Sequence, residues 1–171
     1  MPEAWLGGPI DGVDAYLMPV AHALVQVRDD VGAVLSRLAP EQLTARPGGA
    51  ASIAFHAAHL AGSLDRLLTY ARGESLSPAQ KEALAAEKGG AAGDRDALIS
   101  LVTDTVARAL DQLRATPREG LLEPRKVGRA GLPSNVLGLL FHAAEHAQRH
   151  AGQIATTARI AGVPPSAPPR L

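Results

Sequence analysis

At 171 residues the chain is one domain's worth, long enough to bury a core without disulfides or a structural metal. Its 17 Lys and Arg balance 17 Asp and Glu, leaving no basic field to hold nucleic-acid phosphates or an anionic bilayer. Cysteine is absent, which removes disulfides, thiolate ligands and an internal sulfur nucleophile together, so thiol chemistry here needs a thiol from outside.

With one Trp, two Tyr and two Phe among abundant Ala and Leu, the composition suits helices packed on helices rather than a β-sandwich. Residues 1–16 contain Gly and Pro without a sustained period and read as an ordered arm anchored by Trp5. The first helix follows, with Val20, Leu24, Val27, Val31, Leu35 and Leu38 forming one apolar stripe opposite Arg28, Asp29 and Asp30. Pro40, then Arg46, Pro47, Gly48 and Gly49, close that helix and make the first loop. Ser52 is placed to cap a second helix running on Ile53, His56, His59, Leu60, Leu64, Leu67 and Leu68 to about Arg72, with Gly73 as its stop.

A long connection from Gly73 to Gly93 includes Ser77, Pro78 and Gln80, a capping box with proline at the first helical position. It predicts a short helix over 78–87, ended by the glycine-rich stretch Lys88 to Gly93. Asp94 caps a third long helix on Leu98, Leu101, Val102, Thr105, Val106, Ala109, Leu110 and Leu113, and Pro117 stops it. A loop over about Thr116 to Leu132 holds Arg118, Arg125, Lys126 and Arg129. Pro133 and Ser134 open the fourth long helix, which runs through Val136, Leu137, Leu139, Leu140 and the histidines to Ile160, and the proline-rich tail 163–171 cannot continue it.

Four long amphipathic helices in one domain describe an all-α four-helix bundle, and the connection between the second and third is long enough to cross it. The start Met1, Pro2, Glu3, Ala4, Trp5 lacks a basic leader, and no run approaches the roughly eighteen apolar residues of a membrane span. A cytoplasmic location is the expectation, with no membrane and no nucleic acid among the partners.

Five of the six histidines fall in two helices: His56 and His59 in the second, His142, His146 and His150 in the fourth. Positions four apart on a helix turn by only about 40° net, so the last three form a slowly drifting row on one face. An i, i+4 pair supplies two imidazoles, and a catalytic zinc-type site takes three protein ligands and keeps one position open. His59, mid-helix on the inward face with Ser63 and Arg66 one and two turns further along, is the choice for the third; His56, one turn earlier, could exchange roles with it. A lone buried histidine is usually a satisfied core residue. Several neutral imidazoles facing one another in one core are costly unless something binds them.

Two other motifs use the same residues. His142, Ala143, Ala144, Glu145, His146 matches the H-x-x-E-H of inverted zinc peptidases, but no Asp or Glu follows Glu145 to complete that ligand set. Di-iron bundles need paired Glu-x-x-His motifs, and none occurs.

The segments "LAPEQLTARP", "SIAFHAAHL" and above all "FHAAEHAQRHAGQI", in which His146, His150, Gly152 and Gln153 read H-x-x-x-H-x-G-Q, resemble the DinB/YfiT-like metal-binding four-helix bundles over most of the chain. The resemblance implies His59, His146 and His150 as ligands of one divalent metal, with Zn foremost and Ni, Fe or Mn as alternatives. His56, His142 and Gln153 are then candidates to touch the ligands. Ala151 and Ala51 depart from the family's commoner Arg and aromatic, which touches substrate contacts and not ligands. Relatives include transferases and isomerases that use low-molecular-weight thiols such as bacillithiol, mycothiol or glutathione, so the resemblance implies a thiol-dependent S-transferase or hydrolase acting on a small molecule, with a homodimer as the family's habit.

Arg66, Arg125, Arg129 and Arg149 are candidates to hold substrate carboxylates, which guanidinium matches bidentately. The alternative class is a non-catalytic metal-binding protein, stress-associated or structural, in which His142 or His56 closes the coordination as a fourth ligand. A helical interaction module with incidental histidines would bind no metal at all.

Overall fold

The computed structural model describes residues 3–87 and 94–163; the expected helix stop at 88–93 and the proline-rich tail from 164 lie outside the described residues. Six helices and one hairpin appear among them: α1 (Met18–Leu35), α2 (Pro40–Thr44), α3 (Ile53–Ala71), α4 (Pro78–Ala86), α5 (Arg95–Ala115), β1 (Pro124–Val127), β2 (Leu132–Asn135) and α6 (Val136–Ile160). Local chemistry starts most of the helices. The side-chain oxygens of Ser52, Asp94 and Asn135 accept from the backbone N–H of Phe55, Ala97 and Gly138, and Ser77 and Gln80 complete the expected capping box on α4.

Four local expectations are corrected. Pro40 does not merely end the first helix, which stops at Leu35; it opens α2 as its first residue, and Gln42 accepts from the Ala39 N–H to hold that turn. Pro133 and Ser134 do not begin the fourth helix but lie in β2, paired antiparallel with Lys126 and Arg125, so the supposed loop is a hairpin turning on Gly128 and Gly131 at positive φ. The fourth helix begins one turn later, at Val136, on its Asn135 cap. Trp5 does not anchor the arm: it is 62% exposed and its indole N–H donates to nearby Glu3, while buried Val13 and Leu17, and Ala4 N–H on Gln26, tie the arm to α1.

Around the bundle the long helices pack in the order α1, α6, α3, α5, so α1 and α3 face each other across one diagonal and α5 and α6 across the other. Gln112 near the end of α5 bonds to Leu68 O near the end of α3 and to Arg72, which makes these neighbours parallel. Gln148 to Ala23 O and Gln42 to Ala161 O run α1 and α6 parallel as well, whereas α3 and α6 are antiparallel, His56 meeting His150 and His59 meeting His146. Parallel neighbours cannot be joined by a tight turn. The chain between α3 and α5 must therefore travel back along the bundle, the long crossover expected from the linker, and α4 rides on that return.

The core is a set of aliphatic side chains from all four long helices, with Leu24, Val31, Leu60, Leu64, Val106, Leu113, Leu140 and Ile154 at most 1% exposed. No helix among the described residues is long and apolar enough to cross a membrane. Truncating Ile154 to Ala should leave a cavity worth about 2–5 kcal/mol of unfolding free energy in urea denaturation. Leu122→Ala, at 72% exposure just before β1, should change it by less than about 0.5 kcal/mol.

Candidate metal centre

The antiparallel contact of α3 and α6 brings two histidine rows together. On α3 the pair His56 and His59 is spaced i, i+3, and on α6 His146 and His150 are spaced i, i+4, so both pairs face the same interface. His59 Nε2 lies 3.3 Å from His146 Nε2, and the ring of His150 sits 4.7 Å from that of His59 and 4.6 Å from that of His146, centroid to centroid. One nitrogen from each of His59, His146 and His150 lies within 4.8 Å of the other two. Two nitrogens bound to one tetrahedral zinc at about 2.0–2.1 Å are about 3.3 Å apart, so the His59–His146 spacing already matches that bite. His150 is buried, whereas His59 and His146 are half-buried.

The second nitrogens of His59 and His150 are held. Glu87, at the end of α4, accepts a 2.7 Å hydrogen bond from His59 Nδ1. A proton on Nδ1 leaves the lone pair of His59 on Nε2, aimed at the cluster, which is how metal-binding imidazoles are oriented by carboxylates. The same carboxylate takes Arg66 Nη1 at 2.6 Å, and the Arg66 and Glu87 side chains are only 10% and 13% exposed. The guanidinium offsets the carboxylate's charge, and the candidate donor set itself is three imidazoles with no carboxylate. Phe55 stacks on His59 at 5.5 Å and 9°, fixing the ring from its other side. His56 Nδ1 lies 3.0 Å from His150 Nδ1, which leaves Nε2 as the free nitrogen of His150.

The electrostatics favour the neutral form of His56, His146 and His150. Burial first, then the neighbouring His146, His59 and His56 and the Arg149 guanidinium, push the His150 pKa down to about 4. Burial is also the largest cause lowering His146 and His56, seconded in each by His59. Neutral imidazole is the form that ligates a metal.

Of the residues singled out from the sequence, the three ligand candidates converge and His56 supports His150. His142 is exposed and pairs with Glu145 on its own helix at 3.3 Å, and Gln153 is exposed and touches none of the histidines. Arg66 reaches the centre, but through Glu87. Arg125 donates to Ala71 O and to Glu123 at the far end of α3, about 18 Å along the helix from His59, and Arg129 is exposed in the hairpin turn. Arg149 lies on the solvent side of α6 beside the ligands, bonded to Glu145. Glu87 and Phe55 were missed. For Phe55 the signal was its place in "SIAFHAAHL", four residues before His59; for Glu87 no local pattern exists, since 28 residues separate it from its partner.

The metal-free protein should lose stability as pH falls from about 6.5 toward about 4. His150 takes up a proton near 6.5 when unfolded but only near 4 when folded, so between those values the unfolded chain binds more protons. His150→Gln should flatten that part of the profile in urea titrations across the range; an unchanged slope would contradict the assignment.

A family model described as DinB superfamily matches residues 23–154, a span that contains all three histidines. The fold is similar to the crystal structure of a candidate DinB-family member from Exiguobacterium sibiricum 255-15, with a TM-score of 0.71 at 17% identity over 94% of this chain and 98% of that one. A comparison with curated proteins finds no match. The fold, the histidine cluster between its second and fourth long helices and the family match agree: the chain belongs to the DinB superfamily.

Proposed function

We propose that His59, His146 and His150 hold one divalent metal, zinc foremost, and that the protein is a metal-dependent enzyme acting on a small molecule as a thiol-dependent S-transferase or a hydrolase. The observation that carries this reading is the convergence of three imidazole nitrogens with no fourth metal-ligating side chain in the group among the described residues. The residues that would have closed the site are otherwise engaged, His142 with Glu145 and His56 with His150. That supports an open position over a closed structural one.

A bound divalent ion supplies Lewis acidity at that position, lowering the pKa of a thiol or water so that it is a nucleophile near neutral pH. The chain's own residues prepare the rest. Glu87 keeps the His59 proton on Nδ1, burial keeps His150 neutral, and a ligand set without carboxylates favours an anionic fourth partner. With no cysteine in the chain, a sulfur nucleophile has to be exogenous. Among the four arginines, Arg149 is both exposed and next to the ligands, so it is the group we assign to a substrate carboxylate, in exchange for Glu145. Arg66 is committed to Glu87.

Elemental analysis should find about one divalent ion per chain. His146→Ala and His150→Ala should lose it, and His22→Ala, whose ring bonds to Gly8 O on the arm, should keep it. In cobalt-substituted protein, bacillithiol or glutathione should add a sulfur-to-metal charge-transfer band that His59→Ala lacks. Full metal retention by His150→Ala would contradict the ligand set; a fully loaded cobalt protein whose spectrum ignores every small thiol would exclude the transferase and leave hydrolysis.

A further inference from the structure

α4 buries none of its residues, an unusual way for a helix to be attached to a bundle. It is fastened at its two ends by polar groups. Near its start Gln80 donates to Asp65 Oδ2 at 2.6 Å and to Thr69 Oγ1 at 2.7 Å; just past its end Glu87 binds His59 and Arg66. Between the fastenings a cleft of about 230 Å³ lies against Gly62, Arg66, Ala79 and Ala83.

The outer fastening sits in a notch. Gly62 lies inside α3, three residues after His59 and four before Arg66, where helix propensity would favour almost any other residue. A Cβ there would come within 2.6 Å of Glu87 Oε1 and 2.9 Å of Arg66 Nη1. His59, Gly62 and Arg66 thus form one face of α3 that accepts one carboxylate: a ring nitrogen and a guanidinium to bind it, and a missing side chain to let it in.

We propose that Glu87 is a positioning residue of the metal centre and that metal occupancy and the docking of α4 are coupled through it. The inference rests on the three-histidine reading above. The carboxylate fixes the tautomer and orientation of His59 and raises the basicity of Nε2. Coupling is reciprocal: whatever factor α4 docking adds to metal affinity, the metal adds to α4 docking. A helix none of whose residues is fully buried is held weakly enough for that factor to move it.

The test uses the full chain, titrated with Zn²⁺ against a chromophoric chelator, with hydrogen exchange of residues 78–87 followed with and without the ion. Glu87→Ala should bind about 10–100-fold more weakly than the parent. Glu87→Gln, whose amide oxygen still accepts from Nδ1, should lose less. Gly62→Ala should also bind more weakly while melting no lower than the parent, because alanine strengthens the helix and only the ends of two flexible side chains are displaced. Zn²⁺ should slow exchange in 78–87 in the parent and not in Glu87→Ala.

Parent-like affinity in both Glu87→Ala and Gly62→Ala, or exchange in 78–87 that ignores the ion, overturns the proposal while leaving the metal site intact. Loss in Glu87→Ala as complete as in His59→Ala would make Glu87 a ligand and overturn the positioning role. A parent protein that takes up no ion removes the metal site and this inference with it.

Discussion

Imidazoles can line a helix interface only if their nitrogens have partners, and that constraint organises this protein. Four rings meet where α3 and α6 cross, and leaving a buried nitrogen unbonded would cost about 1–3 kcal/mol each time. The described residues contain no buried side-chain nitrogen or oxygen without a hydrogen bond. Glu87 takes one nitrogen of His59, and His56 takes one of His150. What is left over, one nitrogen from each of three rings, points at one place. The network both satisfies the core and defines the centre.

The topology explains where the carboxylate comes from. Because α3 and α5 are parallel neighbours, the chain has to return the length of the bundle between them, and the return path passes over the outer face of α3. A tight hairpin at that point would have carried nothing. Here it carries α4, whose last turn delivers Glu87 to His59 across 28 residues of sequence. The crossover thus supplies the centre with a group that neither ligand-bearing helix provides.

Much of this could be read from the sequence, for identifiable reasons. The four stripes recur at helical period because each long helix buries one face, and Ser52, Ser77 and Asp94 mark helix starts because their side chains complete the first turn. The clustering of His146 and His150 was legible because a helix turns i, i+4 spacing into adjacency. The hairpin at 124–135 was hidden by Pro124 and Pro133, which argue against strands everywhere except at the ends and edges of a sheet, and a two-stranded ribbon is all edge. The roles of the arginines were not legible either. A guanidinium's partner depends on tertiary contacts, and Arg66 and Arg125 look alike in sequence although one binds Glu87 under α4 and the other binds Ala71 O at the opposite end of α3.

The central claim is that three imidazoles from two helices converge on one ion with a position to spare, and X-ray absorption at the metal edge of the loaded protein tests it most directly. The account predicts about three imidazole nitrogens at about 2.0–2.1 Å, recognisable by their multiple scattering, with one further light atom that is exchangeable. A shell with one imidazole or none, or a shell closed by a protein carboxylate, would contradict it.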